Sequence, residues 1–195
     1  MSKRERIRML SVDALSSKRQ RLDFQTFEYE RDDGSKQVLS REIYHIGDGA
    51  TALLYDLARR TVILVNQFRL PAYLRGESGW VLEAPAGFLD GSAPEVRARD
   101  EVAEEAGYRV GEMRKVFEAL MIPGCVTHVV HGFVAPYTEA DRVDAGGGLI
   151  DEGEDIAVVE LTIDRALGMI VSGEITDAKT IMLLQHAALH LFRQA

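Results

Sequence analysis

Glu101, Glu104 and Glu105 stand at i, i+3 and i+4 in a segment with the marks of a helix, PEVRARDEVAEEAGY, where Pro94 opens the first turn and Gly107 supplies the C-terminal stop. On a helix, carboxylates at that spacing share one face with Cβ atoms about 5–6 Å apart. The three like-charge pairs, 100/104, 101/104 and 101/105, cost together roughly 1 kcal/mol, and Arg97, one turn back, partly offsets it. Taken alone the cluster reads as a solvated acidic face. Two features of its context point to more. The turn Ala86-Gly87 closely precedes the helix, and a second acidic run, Asp151, Glu152, Glu154 and Asp155, lies downstream in the loop DAGGGLIDEGED, 144–155. Carboxylates from two elements can converge on Mg²⁺, which takes octahedral oxygen ligands and keeps waters and substrate phosphates among them.

Other reactive side chains say less by themselves. Arg69 sits at a strand end between Phe68 and Leu70, where a surface charge and an anion-binding role are equally consistent. Lys179, near the start of the last helix, reads alone as an ordinary solvated residue. His128 and His131 lie three apart on a strand and so project to opposite faces, which argues against a shared zinc site. Met169 and Met182 read as core. The single cysteine, Cys125, excludes an intramolecular disulfide and suits a reducing cytoplasm.

The chain has 195 residues, 46% of them hydrophobic, enough for one domain of ordinary size with a small appendage. Residues 1–21 carry seven basic and two acidic residues, a net +5; the formal total of −8 leaves −13 on the remainder. An acidic body argues against a nucleic-acid partner. The basic start is read as a solvated leader that pairs with acidic surface. It lacks the apolar core and cleavage site of a secretory signal. The apolar stretch 181–192 is too short to cross a bilayer and contains Gln185, His186 and His190, so no membrane partner is expected.

The elements that must position these residues follow from periodicity. LDFQTFEYE and QVLSREIYHI alternate around the turn Asp33-Gly34, a β-hairpin at 22–45. A second β segment starts at Ala52, turns at Arg59 and Arg60, and includes the buried run VILV. Further strands are expected at 80–83, 114–121, 127–136 and 156–162, and helices at 94–106, 163–172 and 177–193. In the last helix Ile181, Leu184, Ala188 and Leu191 recur at helical spacing. Mixed strand order with few helices gives an α+β class.

The segment from Gly87 to Tyr108 resembles the Nudix signature, matching it at Gly87, Glu101, Val102, Glu104, Glu105, Gly107 and Tyr108. Three departures stand out: a spacer from Gly87 to Glu101 shorter by one residue, Ala93 in place of the early Glu, and Asp100 in place of the Arg before Glu101. The likeness spans nearly the whole chain through NQFRLP (66–71), ESGWVLEAPAGFLD (77–90), Pro123-Gly124, AGGG (145–148), DEGEDI (151–156) and GEITDAKT (173–180). It is similar to the branch holding GDP-mannose and ADP-ribose pyrophosphatases; the short spacer and ITDAKT favour the first type.

The resemblance implies an α/β/α sandwich with a mixed central sheet over residues 47–195, plus an N-terminal antiparallel β-hairpin subdomain over residues 1–46. It implies metal ligands at Ala86 (through its carbonyl), Glu101, Glu105 and Glu154, with Glu104 a third nearby carboxylate. Glu154 acts as a ligand, as base for the attacking water, or as both, and Glu152 is the alternative. Arg69 clamps the diphosphate, Lys179 approaches the substrate, and Arg41 and Glu42 contact the nucleoside. The implied cofactor is Mg²⁺, with Mn²⁺ an alternative. The implied reaction is hydrolysis of a nucleoside diphosphate sugar, GDP-mannose favoured, to a nucleoside monophosphate and a sugar 1-phosphate, in a homodimer that exchanges its N-terminal hairpins. The alternatives are an ADP-ribose pyrophosphatase and a catalytically weak nucleotide-sugar-binding module.

Overall fold

A computed structural model describes residues 3–193, with Lys3 and Glu152 by backbone alone. The chain divides into two units, 1–47 with 120–129, and 48–119 with 130–195.

The first unit is a three-stranded antiparallel sheet of β1 (Ile7–Ser16), β2 (Arg21–Glu30) and β3 (Lys36–His45) in that order. The expected hairpin is β2–β3, paired from Arg21↔His45 to Glu30↔Lys36. The supposed leader is in fact the third strand, β1. Its basic residues do pair with acidic ones, Arg6 with Asp32 and Arg8 with Glu28. The segment 120–129 joins through Tyr44, whose N–H donates to Cys125 O (2.8 Å) and whose carbonyl accepts from Thr127 N (3.2 Å).

The second unit is built on β4 (Gly49–Asp56), β5 (Thr61–Phe68), β6 (Trp80–Glu83), β7 (Ala86–Phe88), β8 (Arg114–Leu120), β9 (Val129–Pro136) and β10 (Ile156–Thr162). Their order is β10-β5-β4-β9-β8, with β6 beside β5 and β7 beside β4. β4 and β9 run parallel, and β10, β6 and β4 all run antiparallel to β5, so the sheet is mixed, as expected. The helices are α1 (Leu70–Leu74), α2 (Pro94–Glu101), α3 (Ile163–Ser172) and α4 (Ala178–His190).

Strand alternation sorts the buried residues into two cores. Ala50, Ala52, Leu54, Ile63, Val65, Phe133 and Ala135 meet Ala98, Val102 and Ala106 of the α2 region on one side. Leu53, Val62, Leu64 and Val134 meet Ile163, Ala166 and Met169 of α3 and Leu183, Leu184 and Ala187 of α4 on the other. Apolar side chains on both faces of a central strand explain why VILV reads as an unbroken apolar run. The α+β sandwich read from the sequence is therefore the observed fold.

Three local differences bear on the site. The helix expected at 94–106 is regular only to Glu101, and 102–106 widen into a π turn. Such turns insert a residue into the helical register and recur at functional sites. In α4 the buried face runs through Thr180, Leu183, Leu184 and Ala187, rotated from the predicted stripe, with Thr180 Oγ1 accepting from Ala84 N just past β6. α1 and β7 are too short to show in a periodic pattern.

Gly107 ends the π turn at φ 75°. A Cβ there would stand 2.6 Å from both Asp144 Oδ1 and Gly146 N. Gly107→Ala is therefore expected to destabilise the second unit by at least ~2 kcal/mol, left-handed strain plus overlap, read as a lower urea midpoint at unchanged slope.

Candidate functional site

β4 and β5 pair only from Leu54↔Ile63 to Asp56↔Thr61. Beyond that they part: β6 takes the place beside β5 and β7 the place beside β4. The link Ala84-Pro85 crosses the fork, where Pro85 O accepts from Ala52 N at 3.1 Å. Glu83 and Ala86 thus arrive at the same opening from opposite sides of the link.

The helix carboxylates point into this opening. Glu101 is 4% exposed and Glu105 1%, so the cluster is not the solvated face that its spacing alone suggests. Glu105 Oε2 accepts from Ala86 N at 3.1 Å. Any Cβ on Gly87 would run into the Glu101 carboxylate, so the close approach of β7 requires glycine at that position. Arg97 pairs with Glu101, reaches Glu104 at 3.4 Å and donates through Nε to Phe88 O at 3.1 Å. Asp100, which stands where the signature has an arginine, is exposed. Glu95 pairs with Arg99 at 2.9 Å, on the helix surface.

The second acidic group is tied to the first by backbone. Gly147 N donates to Glu105 O and Gly148 N to Glu104 O, each at 3.0 Å, satisfying carbonyls that the π turn leaves open. On the same loop, Glu154 Oε2 accepts from Leu149 N (2.8 Å) and Oε1 from Gln67 Nε2 (3.5 Å). Burial, first, and then the charges of Glu101, Glu83 and Glu154 push the Glu105 carboxyl up to about 8, against the opposing pull of the Ala86 N–H. Acidic side chains from 83, 101, 105 and 154 therefore share one field. The side chain of Glu152 lies outside the described residues.

Arg69, just past β5, and Lys179, in the first turn of α4, are also brought together, by a residue that the sequence reading passed over. Glu83 is 3% exposed. Its Oε1 accepts from Arg69 Nε at 2.6 Å and its Oε2 from Lys179 Nζ. The signal was an acidic residue closing the apolar strand WVLE four positions before Gly87. Arg41 and Glu42 belong to the first unit, where adjacent positions on β3 project to opposite faces of the sheet. Glu42 lines a shallow cavity of about 400 Å³ with Leu22, Tyr44, Cys125 and Val126.

A mixed sheet between two helical layers, with helix glutamates facing an acidic loop across a glycine strand, defines a hydrolase of the Nudix class. No protein-family model matches the chain. Among curated proteins it is similar to the GDP-mannose pyrophosphatases of Escherichia coli strains O1:K1 / APEC, O9:H4 (strain HS) and K12 / DH10B. Each is 48% identical over 162 residues, covering 83% of this chain and 84% of the relative. The chain belongs to the Nudix hydrolase family, in the branch of GDP-mannose and ADP-ribose pyrophosphatases, and is a Nudix pyrophosphohydrolase.

Folding raises the Glu105 pKa above its ordinary value of 4.5, so the folded chain holds that proton more tightly than the unfolded one. The associated stability is complete below about pH 4.5 and is lost as pH rises through about 8. Glu105→Gln keeps the acceptor for Ala86 N–H and removes the charge. In metal-free buffer the variant is expected to melt above the wild type at pH 8, by roughly 2–4 °C per kcal/mol of relieved repulsion, with the gap closing towards pH 5. Differential scanning calorimetry across that range checks it.

Proposed function

We propose that the chain hydrolyses the diphosphate bond of a nucleoside diphosphate sugar, with GDP-mannose the preferred substrate, to a nucleoside monophosphate and a sugar 1-phosphate. The observation that carries this reading is the pair of backbone hydrogen bonds that tie the Glu154 loop to Glu104 and Glu105, with Arg69 and Lys179 held on Glu83 nearby. The relatives' name, GDP-mannose pyrophosphatase, supports the substrate.

The donor types fit a hard divalent cation, although among the described residues no three acidic, histidine or cysteine side chains already converge as a ligand set. The donors are carboxylate oxygens and, at Ala86, a backbone carbonyl, which suits Mg²⁺ or Mn²⁺ over softer metals. A carboxyl pushed up to about 8 by burial first and by neighbouring acids second is one whose charged form a cation would stabilise. Ala86 O, Glu101, Glu105 and Glu154 would hold the metal, with Glu104 alongside. When bound, such ions neutralise the diphosphate and make water a stronger nucleophile.

The chain's own groups divide the remaining work. Arg69 and Lys179 bind the diphosphate oxygens and fix the phosphorus for in-line attack. Glu154, half-buried on a glycine-flanked loop, accepts the proton of the attacking water as the new P–O bond forms and the bridging P–O bond breaks. Arg41 and Glu42 contact the nucleoside.

The functional unit in this reading is a homodimer in the cytoplasm, completed by exchange of N-terminal sheets. The register, with its bulge between Met9 and Ser11, puts Ile7, Met9 and Val12 opposite Tyr29, Phe27 and Gln25 on one face. Ile7, Met9 and Val12 are 41–50% exposed, an apolar strip that favours a partner surface. No helix among the described residues is long and apolar enough to cross a membrane, and Cys125 is a free, exposed thiol.

With Mg²⁺, GDP-mannose is expected to turn over faster than ADP-ribose, and chelation to stop the reaction. Glu105→Gln and Glu154→Gln should each lower kcat by about two or more orders of magnitude in a folded protein. Wild-type rates in Glu105→Gln would remove the helix carboxylate from the reaction. Met9→Lys with Val12→Lys is expected to convert dimer to monomer in sedimentation velocity and to lower kcat/KM.

A further inference from the structure

Among the described residues, Glu83 is buried at the end of β6 yet is neither a member of the carboxylate set above nor needed to complete the sheet. β6 is secured through backbone pairing, Val65↔Glu83 to Phe68↔Trp80. Replacing buried ion pairs with apolar groups is often neutral or stabilising, so three charges gathered in a fork of the sheet are weak evidence of a purely structural role. The geometry is specific. One carboxylate oxygen takes Arg69 Nε at 2.6 Å and the other takes Lys179 Nζ. Holding the guanidinium by Nε leaves its two terminal nitrogens, a planar fork suited to phosphate oxygens.

The other end of the arrangement is equally fixed. Asp177 caps α4, its Oδ2 accepting from Thr180 N at 3.0 Å and Thr180 Oγ1 at 2.6 Å, and it lies 3.1 Å from Lys179 Nζ. Thr180 Oγ1 in turn accepts from Ala84 N at 2.8 Å, beside Glu83. Burial would pull the Lys179 ammonium down, but Glu83 and Asp177 outweigh it and hold its pKa above the ordinary lysine value. Glu105 also lies within the electrostatic reach of both Arg69 and Glu83. Without Glu83, Arg69 has Glu105 to fall onto and Lys179 is left with Asp177 alone.

We propose that Glu83 is a positioning residue for the diphosphate: its carboxylate spaces Arg69 and Lys179 as a two-armed anion clamp and keeps Arg69 off the neighbouring acidic cluster. The inference rests on the reading of Arg69 and Lys179 as diphosphate-binding groups.

The test is steady-state kinetics on the full chain with GDP-mannose and Mg²⁺, joined to ¹⁵N NMR of the lysine ammonium groups. Arg69→Gln and Lys179→Met are each expected to raise KM. Glu83→Gln should raise KM about tenfold with kcat within about threefold, and the protected Lys179 ammonium signal should disappear. Combining Glu83→Gln with Lys179→Met should add little to Lys179→Met alone, since both break one linked unit. Glu83→Asp keeps the charge but is one methylene too short to bridge both cations, and it should reproduce the KM rise if Glu83→Gln does not fold. Unchanged KM in the Arg69 and Lys179 variants would overturn the clamp and this inference together. A KM rise in those variants with unchanged KM in the Glu83 variants would overturn the inference alone. So would fully multiplicative effects in the double variant, or a loss confined to kcat.

Discussion

The placement of Glu105 is the constraint from which the site follows. A carboxyl at 1% exposure, facing Glu101, Glu83 and Glu154, is unfavourable unless something compensates for it. The fold supplies one direct compensation, the Ala86 N–H, and this requires β7 to leave β6 and run across the helix. That crossing brings Gly87 against Glu101. Arg97 then holds Glu101 and Glu104 from the opposite side, so the cluster persists as a group of fixed side chains. Charge that would be dispersed in solvent on an ordinary amphipathic helix is here concentrated and directed.

The π turn has a matching role for the main chain. It leaves the carbonyls of Glu104 and Glu105 open, and Gly147 and Gly148 close them. Those two hydrogen bonds bring the loop carrying Glu154 to the helix. The Glu154 carboxylate is held within its own loop by Leu149 N at 2.8 Å and reached from β5 by Gln67 only at 3.5 Å. The helix acids are packed into a core, while the loop acid is half-buried and bonded mainly within its own loop, an arrangement compatible with movement of that loop.

Much of this was legible in the residues. The alternation of β2–β3, the run VILV, the pair Pro94 and Gly107 and the strand 156–162 all carried local signals that the packed structure keeps. The two acidic segments were legible as candidates because of residue type and spacing. What stayed hidden was specified by tertiary pairing. β1 is exposed along nearly its whole length within its own unit and flanked by basic residues, so no buried-exposed alternation marks it; its strand character comes from β2. The three residues of β7 exist only because β4 is there to pair with them. Glu83 was missed because a lone acid after an apolar run gives no sign of the two cations that fold onto it from 14 positions before and 96 positions after it.

Strand alternation has a consequence for how this site can change. The glutamates of the helix are anchored in the core on one side of the sheet, through Ala98, Val102 and Ala106. Lys179 is carried by a helix anchored in the other core, through Leu183, Leu184 and Ala187. The helix glutamates and the lysine thus hang from separate cores, joined across the sheet through Glu83 and Ala84. Repacking behind α4 would move the lysine and, through its contact with Glu83, tug on Arg69, while Glu101 and Glu105 keep the support of their own core.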